Sequence, residues 1–127
     1  MATALGTFEV KLASQPTDAP NLGRRSIDKR FHGDITGVSV GEMLAIGSPV
    51  QGSAGYVAME TVTGSVEGRS GTFSLMHTGL MNRGVPSLVV QVVPDSGTGE
   101  LTGLSGTMKI LIEGKEHRYE FEYELPA

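Results

Sequence analysis

"HRYEFEYEL" (His117–Leu125) decides the fold class. His117, Tyr119, Phe121, Tyr123 and Leu125 alternate with Arg118, Glu120, Glu122 and Glu124. Successive side chains of an extended chain point to opposite sides, so this segment is a strand with one apolar face and one charged face. The charged face reads as a solvated surface.

Working back from this strand, the 18 glycines and 6 prolines of the 127-residue chain fall between short β-prone runs. No stretch repeats its apolar residues with helical period over three turns. Eight strands are expected, at about 6–13, 23–32, 35–46, 54–63, 66–78, 87–93, 107–112 and 116–125. Turn chemistry separates them in "GSPVQGSAG" and "MNRGVPS", and a two-residue hairpin is expected at Glu113-Gly114. "PDSGTGELTGLSG" (94–106) reads as a loop with one short helical turn. The length fits one domain spanning 1–127, large enough to hold a core. Eight short strands with short connections imply an all-β, eight-stranded antiparallel closed barrel, because closure removes exposed strand edges. A two-sheet β-sandwich is the alternative.

The totals narrow the function. With no cysteine, disulfides and thiolate metal sites are excluded. A net charge of -4 and a pI of about 5.3 argue against nucleic-acid binding. The most apolar stretch, Val85 to Val93, is broken by Pro86, Ser87 and Gln91, so no membrane span is expected. "MATALGTFEV" has neither the positive start nor the apolar core of a signal peptide, and a cytoplasmic location is expected.

The central strands differ from the last one. In "VSVGEMLAI", Val38, Val40, Leu44 and Ile46 share one face and Met43 and Ala45 the other; in "SLVVQVV" both faces are Val or Leu apart from Ser87 and Gln91. Apolar residues on both faces imply that the outside is covered, and a homo-oligomer is expected. A sandwich with loops folded over it is the alternative.

Several motifs invite a catalytic reading. "GVSVG" (37–41) matches G-x-S-x-G, but Ser39 lies between two valines inside a strand and no helix follows, so a nucleophile elbow is not expected. "GTGELTG" (97–103) places Thr102 where a dinucleotide fingerprint needs its third glycine, and reads as a tight turn. His32, His77 and His117 form no metal-binding pair, and neither metal nor cofactor is expected.

Glu60, in the strand "GYVAMETVTG" (55–64), is a different matter. It shares a face with Tyr56, Ala58 and Val62; Glu42 shares one with Val38, Val40 and Leu44; His77 lies with Phe73 and Leu75, and Lys29 between Ile27 and Phe31. If these faces all point inward, two carboxylates, an imidazole and an ammonium line a mostly apolar lumen. Unpaired buried charge is very costly, so these groups pair or change protonation. A desolvated Glu60 is expected to have a raised pKa, suited to acid/base work. The structural alternative turns Glu60 outward to an arginine at a subunit interface.

Taken together, "GTFEVK" (6–11), "GVSVGEML" (37–44), "GSAGYVAMETVTG" (52–64), "GRSGTFSLMHTG" (68–79) and "VVPDSGTGELTGLSGTMKI" (92–110) resemble the bacterial family known as domain of unknown function 3224. The resemblance covers nearly the whole chain. It implies a small calycin-like closed barrel similar to plant allene oxide cyclase, and "SGTGELTGLSG" is similar to the glycine-rich turn of allene oxide cyclases and dirigent proteins. Those relatives are oligomeric barrels that guide ring closure or radical coupling without a metal. No site residue carries over from them.

The expected function is binding of a small, mostly apolar molecule in the lumen, with cofactor-free isomerisation or cyclisation there. Glu60 is expected as acid/base with His77 as its partner; Tyr56 or Gln91 would orient the ligand, and Glu42 and Lys29 would line the site. A non-catalytic carrier, and a structural or interaction protein with a filled barrel, are the alternatives.

Overall fold

The computed structural model describes residues 1–126. Eight strands follow in order: β1 (Ala2–Gln15), β2 (Leu22–Gly33), β3 (Ile35–Gly47), β4 (Ala54–Val66), β5 (Arg69–Asn82), β6 (Val85–Val92), β7 (Ser105–Glu113) and β8 (Glu116–Glu124). Each pairs antiparallel with its sequence neighbours, and β1 pairs with β8, which closes the barrel. The sandwich alternative therefore falls. No helix among the described residues is long and apolar enough to cross a membrane.

Local turn chemistry sets the register. Val66 pairs with Arg69 across Glu67 and Gly68, and Asn82 pairs with Val85 across Arg83 and Gly84. All four turn residues have positive φ, as a two-residue hairpin of the primed type demands. The strand expected over 66–78 thus begins three residues late, because Glu67-Gly68 is the turn. The last hairpin is likewise shifted by one: Glu113 pairs with Glu116, leaving Gly114 and Lys115 in the loop.

The two ends of the barrel differ. One is shut by the segment after β6, whose single 3₁₀ turn (Gly99–Leu101) carries Leu101 into the core, with Leu104 close behind. Thr98 fastens this segment to β5 by paired bonds with Thr72, each 2.9 Å. Here the lumen is packed solid: Phe73 stacks on Phe121 with ring centroids 5.9 Å apart, and Phe121 on Tyr123 at 5.3 Å. Toward the other end the inward positions become more exposed. Ile27 is buried, Met43 and Tyr56 are half-buried, and Leu12, Leu88 and Ile112 are open to solvent. This end is an apolar mouth.

β3 reverses one sequence expectation. Its inward residues are Ile35, Gly37, Ser39, Gly41, Met43 and Ala45, whereas Val38, Val40, Leu44 and Ile46 face out. The lumen of an eight-stranded barrel holds few large side chains. Small residues on β3 leave room for the aromatic and charged side chains of β2 and β4, so the bulkier face turns outward.

Tyr119 ties the closing strand to the β2–β3 corner. Its hydroxyl donates to the His32 carbonyl at 2.8 Å and accepts the Ile35 N–H at 2.8 Å, with the residue 1% exposed. Removing it strands the buried Ile35 N–H and takes a partner from the part-buried His32 carbonyl. Tyr119→Phe is expected to cost about 1–3 kcal/mol in urea unfolding, with the β-sheet circular dichroism unchanged. An unchanged midpoint would show that water replaces the hydroxyl without loss.

Candidate functional site: a buried carboxylate cluster below the barrel mouth

Four consecutive strands each send one polar side chain inward at the same level. Lys29 on β2 lies opposite Ser39 on β3, Glu60 on β4 lies opposite Gly41, and His77 on β5 lies opposite Ala58, one inward position from Glu60. Glycine at 41 is required by the packing: a Cβ there would stand 2.7 Å from the Glu60 Cα and 2.0 Å from the Met59 carbonyl oxygen.

The Glu60 carboxylate is the hub. Ser39 Oγ donates to Oε1 at 2.7 Å; Lys29 Nζ donates to Oε2 at 2.8 Å, and His77 Nε2 donates to the same oxygen at 2.5 Å. The four residues are between 1% and 6% exposed. Lys29 Nζ also lies over the Phe8 ring, 4.8 Å from its centroid, and 5.8 Å from that of Phe31. Those ring faces give the ammonium a second source of favourable electrostatics after loss of water.

Burial alone pushes the Glu60 pKa up. The hydrogen bond from His77, the Lys29 charge and hydrogen bond, and the Ser39 hydroxyl together outweigh it and hold the carboxyl down at about 2. This corrects the raised pKa expected from sequence, which counted desolvation without the partners. Glu60 is a fixed anion, so it takes no proton near neutral pH.

The imidazole is oriented by that anion. A carboxylate only accepts, so Nε2 must carry the proton, and in the neutral ring Nδ1 then holds a lone pair. Among the described residues no protein group bonds Nδ1, and no fully buried side-chain nitrogen or oxygen lacks a partner. His77 is 4% exposed, and its place on β5 is one inward position nearer the mouth than Glu60.

The remaining expected residues separate. Tyr56 points inward, half-buried one inward position nearer the mouth than Ala58, with its ring packed over Gly79. Burial raises its phenol pKa, so it stays a neutral hydroxyl. Glu42 is outside the barrel, contrary to expectation, because it belongs to the outward face of β3; Arg24 Nε bonds it at 2.5 Å. Gln91 is also exposed on the outer face, opposite Met76 of β5 and Thr107 of β7. His32 pairs with Glu9 on the surface at 2.6 Å, and the His117 ring rests 5.2 Å from that of Phe8. Among the described residues no group of three or more His, Asp or Glu side chains is gathered to hold a metal ion. The G-x-S-x-G motif raises Ser39 only as a nucleophile. It is not one here, since its hydroxyl serves the carboxylate and not the imidazole. The Phe8–Phe31 cradle for Lys29 is not legible in the sequence, because it depends on the pairing of β1 with β2.

Comparison with known proteins agrees with this fold. The sequence profile of the family "Protein of unknown function (DUF3224)" matches residues 4–123. The crystal structure of a DUF3224-family protein of unknown function from Shewanella oneidensis MR-1 is 47% identical, with a TM-score of 0.94 over 100% of this chain and 99% of that one. No curated protein matches the chain. The chain belongs to the DUF3224 family.

The depressed pKa of Glu60 links stability to pH. Its contribution is complete above the ordinary carboxyl pKa of 4.5 and is lost as pH falls through about 2. A shift of this size is worth on the order of 3 kcal/mol. Urea midpoints followed from neutral pH down to this window are expected to fall, and Glu60→Gln to flatten that fall. At neutral pH the variant should lose about 3–5 kcal/mol, because Lys29 is left buried without its counter-charge. An equally steep acid loss in the variant would assign the pH dependence to other carboxylates.

Proposed function

We propose that this DUF3224-family barrel binds a small, mostly apolar molecule in its open mouth and moves a proton on it through His77 Nδ1, without a cofactor. One observation carries this reading. The imidazole is held by a buried anion through Nε2, while among the described residues no protein group bonds its other nitrogen. A histidine wanted only for packing has no need of a charged orienting partner.

The roles follow from the geometry. The ligand's apolar body lies against Ile27, Met43 and Leu88, and its polar end reaches His77, with the Tyr56 hydroxyl nearer the rim to orient it. His77 Nδ1 takes a proton from a carbon next to a carbonyl. The imidazolium formed is stabilised by the Glu60 carboxylate, already ionised and 2.5 Å from Nε2. The same nitrogen returns the proton to another carbon, which completes an isomerisation, or to the enolate oxygen or carbon left by ring closure. Glu60 is a positioning residue, kept ionised by Lys29 and Ser39. Glu42 and Gln91, on the outside, take no part in lumen chemistry.

Two other readings share the site. A carrier would use the mouth without the proton step. A structural barrel is favoured by the aromatic packing of the closed half, where Phe73 stacks on Phe121 and Phe121 on Tyr123. Cyclic and open-chain enones in deuterium oxide separate the three. Protein-dependent deuterium uptake next to the carbonyl is expected, falling by about 10²–10⁴-fold in His77→Asn. Saturable binding without exchange would make the protein a carrier. No binding to any probe, with His77 imidazole resonances unmoved, would overturn the ligand reading and leave the structural one.

A further inference from the structure

The exterior of the barrel is divided in two. On the outward positions of β8, β1 and β2 stand Glu120, Glu122, Glu9, Lys11, Asp28 and Arg30, among other charges. From β3 through β6, Glu42 is the sole charged side chain at an outward position of a strand among the described residues, and it sits at the β2 border on Arg24. The remainder is Val, Leu, Ile, Met, Thr, Ser, Gln and Asn. Much of it is open: Val40 is 64% exposed, Leu80 60% and Met59 50%.

We infer that this uncharged face pairs with the same face of a second copy about a two-fold axis. The area fits. The apolar side chains of β3–β6 present roughly 700 Å² at their exposures, above the ~300–600 Å² of the largest patch on an ordinary monomer and near the ~800 Å² that each partner contributes to a standard interface. The charge pattern selects the symmetry. Head-to-tail contact would lay the charged half of one copy on the apolar half of the next and desolvate charges without partners. Face-to-face contact buries apolar surface on both copies, the one charge it approaches, Glu42 beside Met59, being already paired with Arg24, and one patch meeting itself is the two-fold arrangement. Met59 and Met76 are register partners at the centre of the face, so the axis passes close to them. Beside them a groove of about 420 Å³, lined by Leu44, Ile46, Val57 and Leu80 and reaching Tyr56 and Gly79, offers a recess for side chains of the other copy.

Light scattering across a concentration series is expected to give twice the 13.4 kDa chain mass. Val40→Glu and Met59→Glu should each restore the single-chain mass with an unchanged circular dichroism spectrum. Because the chain has no cysteine, a single introduced thiol reports proximity cleanly. Met59→Cys should be joined into a dimer by a short bis-maleimide, and Glu122→Cys, on the opposite face, should not. A wild-type monomer, a ring of three or more chains, or cross-linking through Glu122→Cys with none through Met59→Cys would overturn the proposal. The cross-linking result stands even if the glutamate variants fail to fold.

Discussion

A carboxylate enclosed by a β-barrel has to be answered by its neighbours, and the middle of this structure is arranged around that requirement. Glu60 offers two oxygens and receives three donors, one from each of β2, β3 and β5. Each donor has its own constraint in turn. The Lys29 ammonium lies against the Phe8 and Phe31 rings, which places two aromatic side chains of β1 and β2 beside the cluster. Ser39 must reach inward from β3, which fixes which face of that strand is buried. His77 must give up one nitrogen to the carboxylate. Replacing the hub with an apolar residue would leave an ammonium with no counter-charge, so the cluster stands or falls as a unit.

The same requirement explains which parts of the structure could be seen in advance. Strand number, order and barrel closure were legible because the β8 alternation, the turn residues and the lack of helical periodicity all point one way. The inward placement of Glu60, His77 and Lys29 was legible too, since each keeps company with Phe, Leu, Ile or Val at period two. Glu42 was placed wrongly by the same rule. Its strand has valines on one side and small residues on the other, and hydrophobicity alone chooses the valines. Volume chooses otherwise: with Phe31 and Glu60 entering from adjacent strands, only Gly37, Ser39 and Gly41 fit between them. Apolar character tells which face is buried only where the other face is polar, and β3 meets that condition on neither side.

The state of Glu60 was not legible for a related reason. Sequence shows that a carboxylate is buried, and burial raises its pKa. It does not show that an ammonium, an imidazole and a hydroxyl converge on it, because they come from three other strands and meet only through register. Their sum reverses the sign of the shift. With that reversal Glu60 becomes a permanent charge that orients the imidazole beside it.

The barrel is thus asymmetric along two directions that do not interfere. Along its axis, one end is stacked aromatics under a pinned segment and the other is an open apolar mouth, with the polar cluster between them. Around its circumference, one half is charged and the other is bare of charge. The axial division sets the polar cluster between the packed core and the more exposed end of the barrel. The circumferential division gathers the exposed apolar side chains on one side of the barrel. The cluster lies on inward positions and the uncharged face on outward ones, so the outward residues of β3–β6 are free to be apolar at no cost to the cluster.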